Sequence, residues 1–218
     1  MGMQHSSMLL AEHGYQSPVL LGLDWLFHAF GTRASGLPPW PLATAKQVHS
    51  AIVLRAAGAG VQGTADGLIS DTEGLLLGMK TADCFPVLIA DPQHRAVAAV
   101  HAGWRGVAGG IVPAALHAMG QAFGSDAPDL HVAVGPGIGP CCFEVGPEVA
   151  LQFGQEGRVH LDLGQEIARQ LAICGVPETQ VDTAHLCTFC DPGAFHSYRR
   201  EGAAAGRMMS VIGIQAGK

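Results

Sequence analysis

With 218 residues, 48% of them hydrophobic, the chain can bury a substantial core, and its length fits one domain over 1–218 better than two. Twelve Lys and Arg within a net charge of −6 leave no basic field for a phosphate backbone or an anionic lipid surface, so nucleic acid and membrane partners are not expected. Thirty glycines and thirteen prolines are scattered between apolar runs, the pattern of many tight turns.

The region 1–45 reads as short and irregular, with Pro38-Pro39-Trp40-Pro41 marking a loop. Gln47 to Arg55, rich in β-branched and aliphatic residues, predicts a strand carrying His49, and Leu75 to Met79 a second, shorter one. Thr81 to His101 reads as a hairpin: Phe85 before Pro86 is pushed toward extended backbone, and Asp91-Pro92-Gln93-His94 has the chemistry of a reversing turn. A symmetric turn pairs residues whose numbers sum to 185, setting Cys84 opposite His101. Their β-carbons would then lie roughly 4.5–5.5 Å apart. Ala102-Gly-Trp-Arg-Gly106 reads as a turn. Val112, Leu116, Met119 and Phe123 follow at helical spacing, and Pro113 is tolerated only in a first turn, so the helix begins near Gly110 or Ile111. Its amino end would point back toward His101, where exposed N–H groups favour anions. Further on, His131 to Val134 predicts a strand leading into the rigid loop Gly135-Pro-Gly-Ile-Gly-Pro140. Leu163 to Ile173 predicts a helix with Leu163, Ile167, Ala168 and Leu171 on one face, and Met208 to Ile214 a final strand.

His49, Cys84 and His101 supply two imidazoles and a thiolate, a donor set suited to catalytic zinc because a fourth position stays open for water or substrate. Such a set keeps a formal charge of about +1, so the metal can still act as a Lewis acid. Each residue taken singly has a plainer reading, a packed thiol or a non-ligand imidazole; the paired placement of Cys84 and His101 across the hairpin shifts those two part of the way toward metal. Cys187-Thr-Phe-Cys190 is the competing site, either a redox pair or half of a structural metal site. Without a second C-x-x-C it would have to borrow His185 or His196, and the adjacent Cys141-Cys142, if extended, points to opposite faces and serves one ion poorly. Arg105, in a glycine turn beside the proposed metal, can present its planar fork to phosphate or carboxylate, with a surface salt bridge as the plainer alternative. Arg199 and Arg200 are the other candidate cations. The start of the chain lacks a basic flank and a long apolar stretch, and no apolar run approaches ~20 residues, so a cytoplasmic protein with free thiols is expected.

Several stretches occur together and in order: Lys46-Gln-Val-His-Ser50, Ala65-Asp-Gly-Leu68, Thr81-Ala-Asp-Cys84 with Pro86-Val-Leu88, and Val100-His-Ala-Gly-Trp-Arg-Gly106. They continue with Gly135-Pro-Gly-Ile-Gly-Pro-Cys-Cys-Phe-Glu-Val-Gly146, Cys187-Thr188, Ser197-Tyr-Arg-Arg200 and Gly206-Arg-Met208. From about residue 46 onward the chain resembles the YfiH or laccase-domain family. The resemblance implies a single-domain, layered α/β/β/α fold with mixed sheets, similar to the cytotoxic necrotizing factor deamidases. It also implies zinc at His49, Cys84 and His101, with copper possible on the same ligands. The implied activities are phosphorolysis of adenosine, inosine and methylthioadenosine and hydrolytic deamination of adenosine. Cys84, His101 and Arg105 would be catalytic, and Gln47, Arg199 and Arg200 would bind substrate. The implied partners are a nucleoside and phosphate, handled by a monomer or small homo-oligomer. Three features depart from the family pattern: the region between Phe30-Gly-Thr-Arg33 and Lys46 is short, His196 stands where Phe is common, and Phe143 where Tyr is frequent.

Three rival functions follow from the same residues. A copper-dependent polyphenol oxidase would use several His-x-His pairs, and none occurs among the eleven histidines. A cysteine hydrolase or amidase, acting for instance on peptidoglycan precursors, would use Cys84 as nucleophile and His101 as base. A binding domain with a vestigial site would fit the shortened early region.

Overall fold

Phe85–Asp91 and Ala96–Ala102 are the centre of the molecule, and every residue of both strands is buried. A strand covered on both faces needs an almost continuous apolar run, and FPVLIAD and AVAAVHA are such runs. The computed structural model describes residues 7–217. Residues 1–6 of the region expected to be irregular lie outside the described residues.

In chain order the strands are β1 (Leu9–Ala11), β2 (Gly14–Gln16), β3 (Leu26–Phe30), β4 (Leu42–Lys46), β5 (Val53–Arg55), β6 (Gly60–Thr64), β7 (Gly67–Ser70) and β8 (Leu76–Thr81). They continue with β9 (Phe85–Asp91), β10 (Ala96–Ala102), β11 (His131–Val134), β12 (Glu144–Val145), β13 (Val159–His160), β14 (Val181–Thr183) and β15 (Met208–Ile214). The α-helices are α1 (Pro18–Leu21), α2 (Trp104–Ala108), α3 (Ile111–Phe123), α4 (Pro147–Ala150), α5 (Leu163–Ile173) and α6 (Tyr198–Glu201). A seven-stranded sheet runs β1-β2-β3-β15-β8-β4-β6, and a six-stranded sheet runs β14-β11-β9-β10-β7-β5. Both are mixed: β4 pairs with β6 and β8 in parallel, as do β5 with β7 and β11 with β14, while the remaining pairs are antiparallel.

Period-two alternation sorts the side chains into layers. Leu88, Ala90, Val97 and Ala99 face the seven-stranded sheet and meet Phe30, Leu77, Met79 and Ile212. Val87, Ile89, Ala98 and Val100 face the other way, onto Val112, Leu116 and Met119 of α3 and Ile167 and Leu171 of α5. The outer face of the seven-stranded sheet is covered by the loop bearing Trp40, which packs with Phe27, Leu42 and Met209, where the layered reading expects helix. The class is nonetheless the expected one, α/β with mixed sheets.

Helix α3, helix α5 and strands β11 and β15 match their expected spans, because each follows from periodicity within one segment. Four expectations need correction. First, residues before Trp40 hold β1, β2, α1 and β3, and β3 lies well inside the seven-stranded sheet, paired along its length with β15. Five residues cannot announce a strand whose partner is some 180 positions away. Second, only Val53–Arg55 of the segment 47–55 is strand; the part carrying His49 is loop. Third, the hairpin turn is two residues longer than the symmetric one, with Arg95 at φ 48°, so pairs sum to 187: His101 faces Pro86, and Cys84 precedes the strand. A shift of two keeps every side chain on its expected face. Fourth, the stretch after Gly103 is helix α2, not a turn, and Arg105 lies in it. Among the described residues no helix is long and apolar enough to cross a membrane.

Candidate metal centre and its cleft

The site is organised by Asp66, which is fully buried just before β7. Its carboxylate accepts the backbone N–H groups of Val48 (3.1 Å), His49 (3.0 Å) and Ser50 (2.7 Å) and the Ser50 hydroxyl (2.8 Å). Three successive amides gathered on one anion replace the ladder that a strand would have made, which is why 47–52 is loop. They also hold His49 at φ 61°, a left-handed conformation uncommon for a residue with a β-carbon. Burial would raise the Asp66 carboxyl, but the hydrogen bonds from His101, Ser50 and Val48 hold it well below the usual carboxylate range.

Asp66 also fixes the second imidazole. His101 Nδ1 lies 2.7 Å from Asp66 Oδ1, so Nδ1 carries the proton and Nε2 is left as the donor atom. Burial disfavours a charged His101, yet Asp66 and the Cys84 sulfur outweigh it and raise the ring to about 9. Cys84 follows the same logic in reverse: burial pushes its thiol up, and hydrogen bonds and charge from His101 and His49 bring it down to about 7. The structure brings these three together, with one donor atom from each within 4.8 Å of the others and the His49 and His101 rings in T-shaped contact at 4.9 Å. Gly103 makes room for them. A β-carbon there would sit 2.9 Å from both Cys84 Sγ and His49 Cδ2. Two imidazole nitrogens and a thiolate, with one imidazole oriented by a buried carboxylate, are a donor set that zinc fits.

The three donors open into a cleft of about 800 Å³. Among the described residues lining it, Lys46, Lys80, Arg105, Arg199 and Arg207 are cationic and Asp83 is the one carboxylate. None of the five cations forms an ion pair with a described residue. Arg105 stacks on the Trp104 ring at 4.2 Å and makes no hydrogen bond to a described residue, so its donors face the cleft. Trp104, Ile138, Phe143 and Tyr198 supply apolar and aromatic wall.

The remaining expected residues divide. Gln47 lines the cleft, but its side-chain amide is engaged at both ends by the Lys80 backbone, at 2.8 and 2.9 Å. Arg199 lines it too; its guanidinium reaches the Cys142 and Glu144 carbonyls, and its backbone N–H donates to Asp83 Oδ2 at 2.7 Å. Arg200 does not line it: its guanidinium is taken up by the Thr188, Phe189 and Phe195 carbonyls and by Glu201. Asp66 and Asp83 were missed as functional positions, although each is an acidic residue in an otherwise apolar motif. Asp83, at φ 84°, also accepts the Thr188 hydroxyl at 2.7 Å and so joins β9 to the loop after β14.

The expectation for the C-x-x-C pair also needs correction. Neither histidine joins it: His185 is exposed, and His196 lies 3.4 Å from Glu201. Instead Cys141, Cys142, Cys187 and Cys190 converge, their sulfurs all within 4.8 Å of one another. The backbone at 139–143 is a turn, with the Cys142 and Phe143 N–H groups both donating to the Gly139 carbonyl, so the opposite-faces argument for an extended pair does not apply.

A family model described as multi-copper polyphenol oxidoreductase laccase matches residues 29–215. The chain belongs to this family. Within it, a purine nucleoside phosphorylase of Deinococcus radiodurans is 38% identical over 83% of this chain and 73% of its own length. One from Bacteroides thetaiotaomicron is 37% identical over 68% of this chain, and that match spans only 60% of the relative's length. A protein named adenosine deaminase RL5, from an unknown prokaryotic organism, is 34% identical over 67% of this chain and 61% of its own. Among solved structures, YlmD from Geobacillus stearothermophilus superposes with a TM-score of 0.86 at 25% identity, covering 96% of this chain and 99% of that one. YfiH from Bacillus licheniformis gives 0.85 at 26%, covering 95% and 99%. The laccase-domain match reaches back to residue 29, so it takes in the end of β3, Ala29 and Phe30, although the motifs begin near residue 46.

Proposed function

We propose that the chain is a purine nucleoside enzyme, carrying out phosphorolysis of adenosine, inosine and methylthioadenosine and hydrolytic deamination of adenosine. The observation that carries this reading is the pairing of an open three-donor centre with a cleft whose free charges are almost all positive, on a chain of net charge −6. Such a cleft selects an anion without attracting polyanions to the rest of the surface. The names of the phosphorylase and deaminase relatives support the same substrate class.

In this reading His49, Cys84 and His101 hold zinc, which when bound supplies Lewis acidity at one open coordination position. Arg105 holds phosphate through donors that no described residue occupies. The aromatic faces of Phe143, Tyr198 and Trp104 take the base and exclude water, and Arg199, anchored by Asp83, orients the nucleoside. Gln47 shapes the wall through its clamp on Lys80, and Arg200 positions the loop that carries Arg199. The test is turnover of a nucleoside panel with and without phosphate, by wild type, Cys84→Ala and Arg105→Ala. Phosphate-dependent base release that weakens about tenfold or more in Arg105→Ala and vanishes in Cys84→Ala is expected, since a charge-assisted hydrogen bond contributes about 1.5–3 kcal/mol. No turnover of any nucleoside would overturn the reading.

One observation favours a second reading. A thiol brought down to about 7 beside an imidazole is also a nucleophile with its base, as in a cysteine hydrolase or amidase. Chelation separates the two: the hydrolase keeps its activity in chelator and the metal-dependent enzyme loses it. Phenol oxidation in air with copper loaded, and none with zinc, would instead identify a polyphenol oxidase.

A further inference from the structure

Four of the five cysteines outside the site just described lie on two loops separated by more than forty residues. Cys141 and Cys142 follow β11, and Cys187 and Cys190 follow β14. The loops are already laced by backbone: Gly137 N–H donates to the Leu186 carbonyl and Thr188 N–H to the Gly137 carbonyl. The sulfurs of Cys142 and Cys190 are 3.3 Å apart and those of Cys141 and Cys190 3.6 Å, with all four inside 4.8 Å. Four sulfurs at about 2.3 Å from a tetrahedral zinc lie about 3.8 Å from one another, inside that range. None of the four is in a disulfide. The Gly139 N–H donates to Cys187 Sγ at 3.2 Å. A backbone amide from the facing loop aimed at the first sulfur of a C-x-x-C pair favours a thiolate there. Four thiols held this close repel as anions and gain little as neutral groups, whereas a soft divalent cation at their centre offsets the charge.

We propose that Cys141, Cys142, Cys187 and Cys190 form a second metal site, a closed tetrathiolate that binds zinc. With four protein ligands it keeps no position for substrate, so its role is structural. What it secures is one wall of the cleft. The first loop leads through Ile138 to Phe143, both of which line the cleft. The second loop places Thr188 on Asp83 and offers the Thr188 and Phe189 carbonyls to Arg200. Cys141 and Cys190 are exposed, so the ion can be loaded and removed without unfolding the core.

The test is metal content of the full chain purified without chelator, beside His49→Ala and Cys190→Ser. Two zinc ions per chain are expected for wild type and one for each variant, with different ions lost. Cobalt in His49→Ala should give the sulfur-to-metal charge-transfer bands of a tetrathiolate, and none in a His49→Ala variant that also carries Cys190→Ser. Wild-type protein, free of any folding defect, gives an independent reading: zinc should slow alkylation of all four cysteines by about an order of magnitude, followed by peptide mass spectrometry. His49→Ala without metal would overturn the proposal. So would disulfides joining 141–142 to 187–190, or alkylation at the same rate with and without zinc. Because His49→Ala removes only the ion in the cleft, failure here is distinct from failure of the nucleoside reading.

Discussion

The two sulfur-bearing clusters of this chain are built in opposite ways. His49, Cys84 and His101 are three donors on a buried carboxylate at the end of the central strands, open on one side to a cationic cleft. Cys141, Cys142, Cys187 and Cys190 are four donors of one kind on two surface loops. Three donors with an oriented imidazole leave a place for chemistry. Four thiolates leave none and act only through the loops they join. The difference shows why donor type alone does not assign a role: the number of donors, and what stands behind them, decide it.

Removing one ligand from each cluster separates their roles most strongly. His49→Ala should lower nucleoside kcat/KM by about a thousandfold, since metal activation supplies several kcal/mol, while leaving the thermal midpoint little changed. Cys190→Ser should do the reverse, lowering the midpoint by several degrees while kcat/KM falls less than tenfold. Equal activity losses in the two variants would abolish the distinction.

Acid would remove any metal held by the two clusters by protonating their ligands, so the scaffold's own acid limit has to be separated from that loss. His28 sets it. Its ring is buried against Ser17, whose N–H donates to Nε2 at 2.8 Å; burial lowers it to about 4 against the upward pull of Asp182. A folded value below the unfolded one means stability is complete above about pH 6.5 and is lost as pH falls toward 4. The loss is about 3 kcal/mol. Urea melts of the metal-free chain between pH 7 and 4 should show that slope, and His28→Gln should flatten it.

Two smaller changes sharpen the picture around the open cluster alone. Asp66→Asn should weaken metal binding there by about 10–100-fold, as removal of a carboxylate behind a ligating histidine does, with the four-thiol ion retained. Gly103→Ala places its β-carbon against Cys84 Sγ and His49 Cδ2 at a backbone angle any residue accepts, so only crowding acts. A loss of about 1 kcal/mol, or several-fold in metal affinity, is expected by competition with a chromophoric chelator.

Much of this was legible in the residues, and the boundary has a physical cause. Periodicity within one segment fixes which face is buried, so α3, α5, β11, β15 and the two central strands could be read from the sequence alone. Parity survived even where the hairpin register did not, because a two-residue slip returns each side chain to its own face. The motifs around His49, Cys84 and His101 are also legible, and the family resemblance they carry marks these residues as one donor set. Only the tertiary structure decided that His49 sits on a loop pinned by Asp66, that Arg200 turns away from the cleft, and that two cysteine pairs meet. The first and third depend on contacts 16 to 18 and 48 to 49 positions apart, closed by sheet pairing rather than by local preference, and the second on carbonyls 5 to 12 positions away that only the folded loop presents.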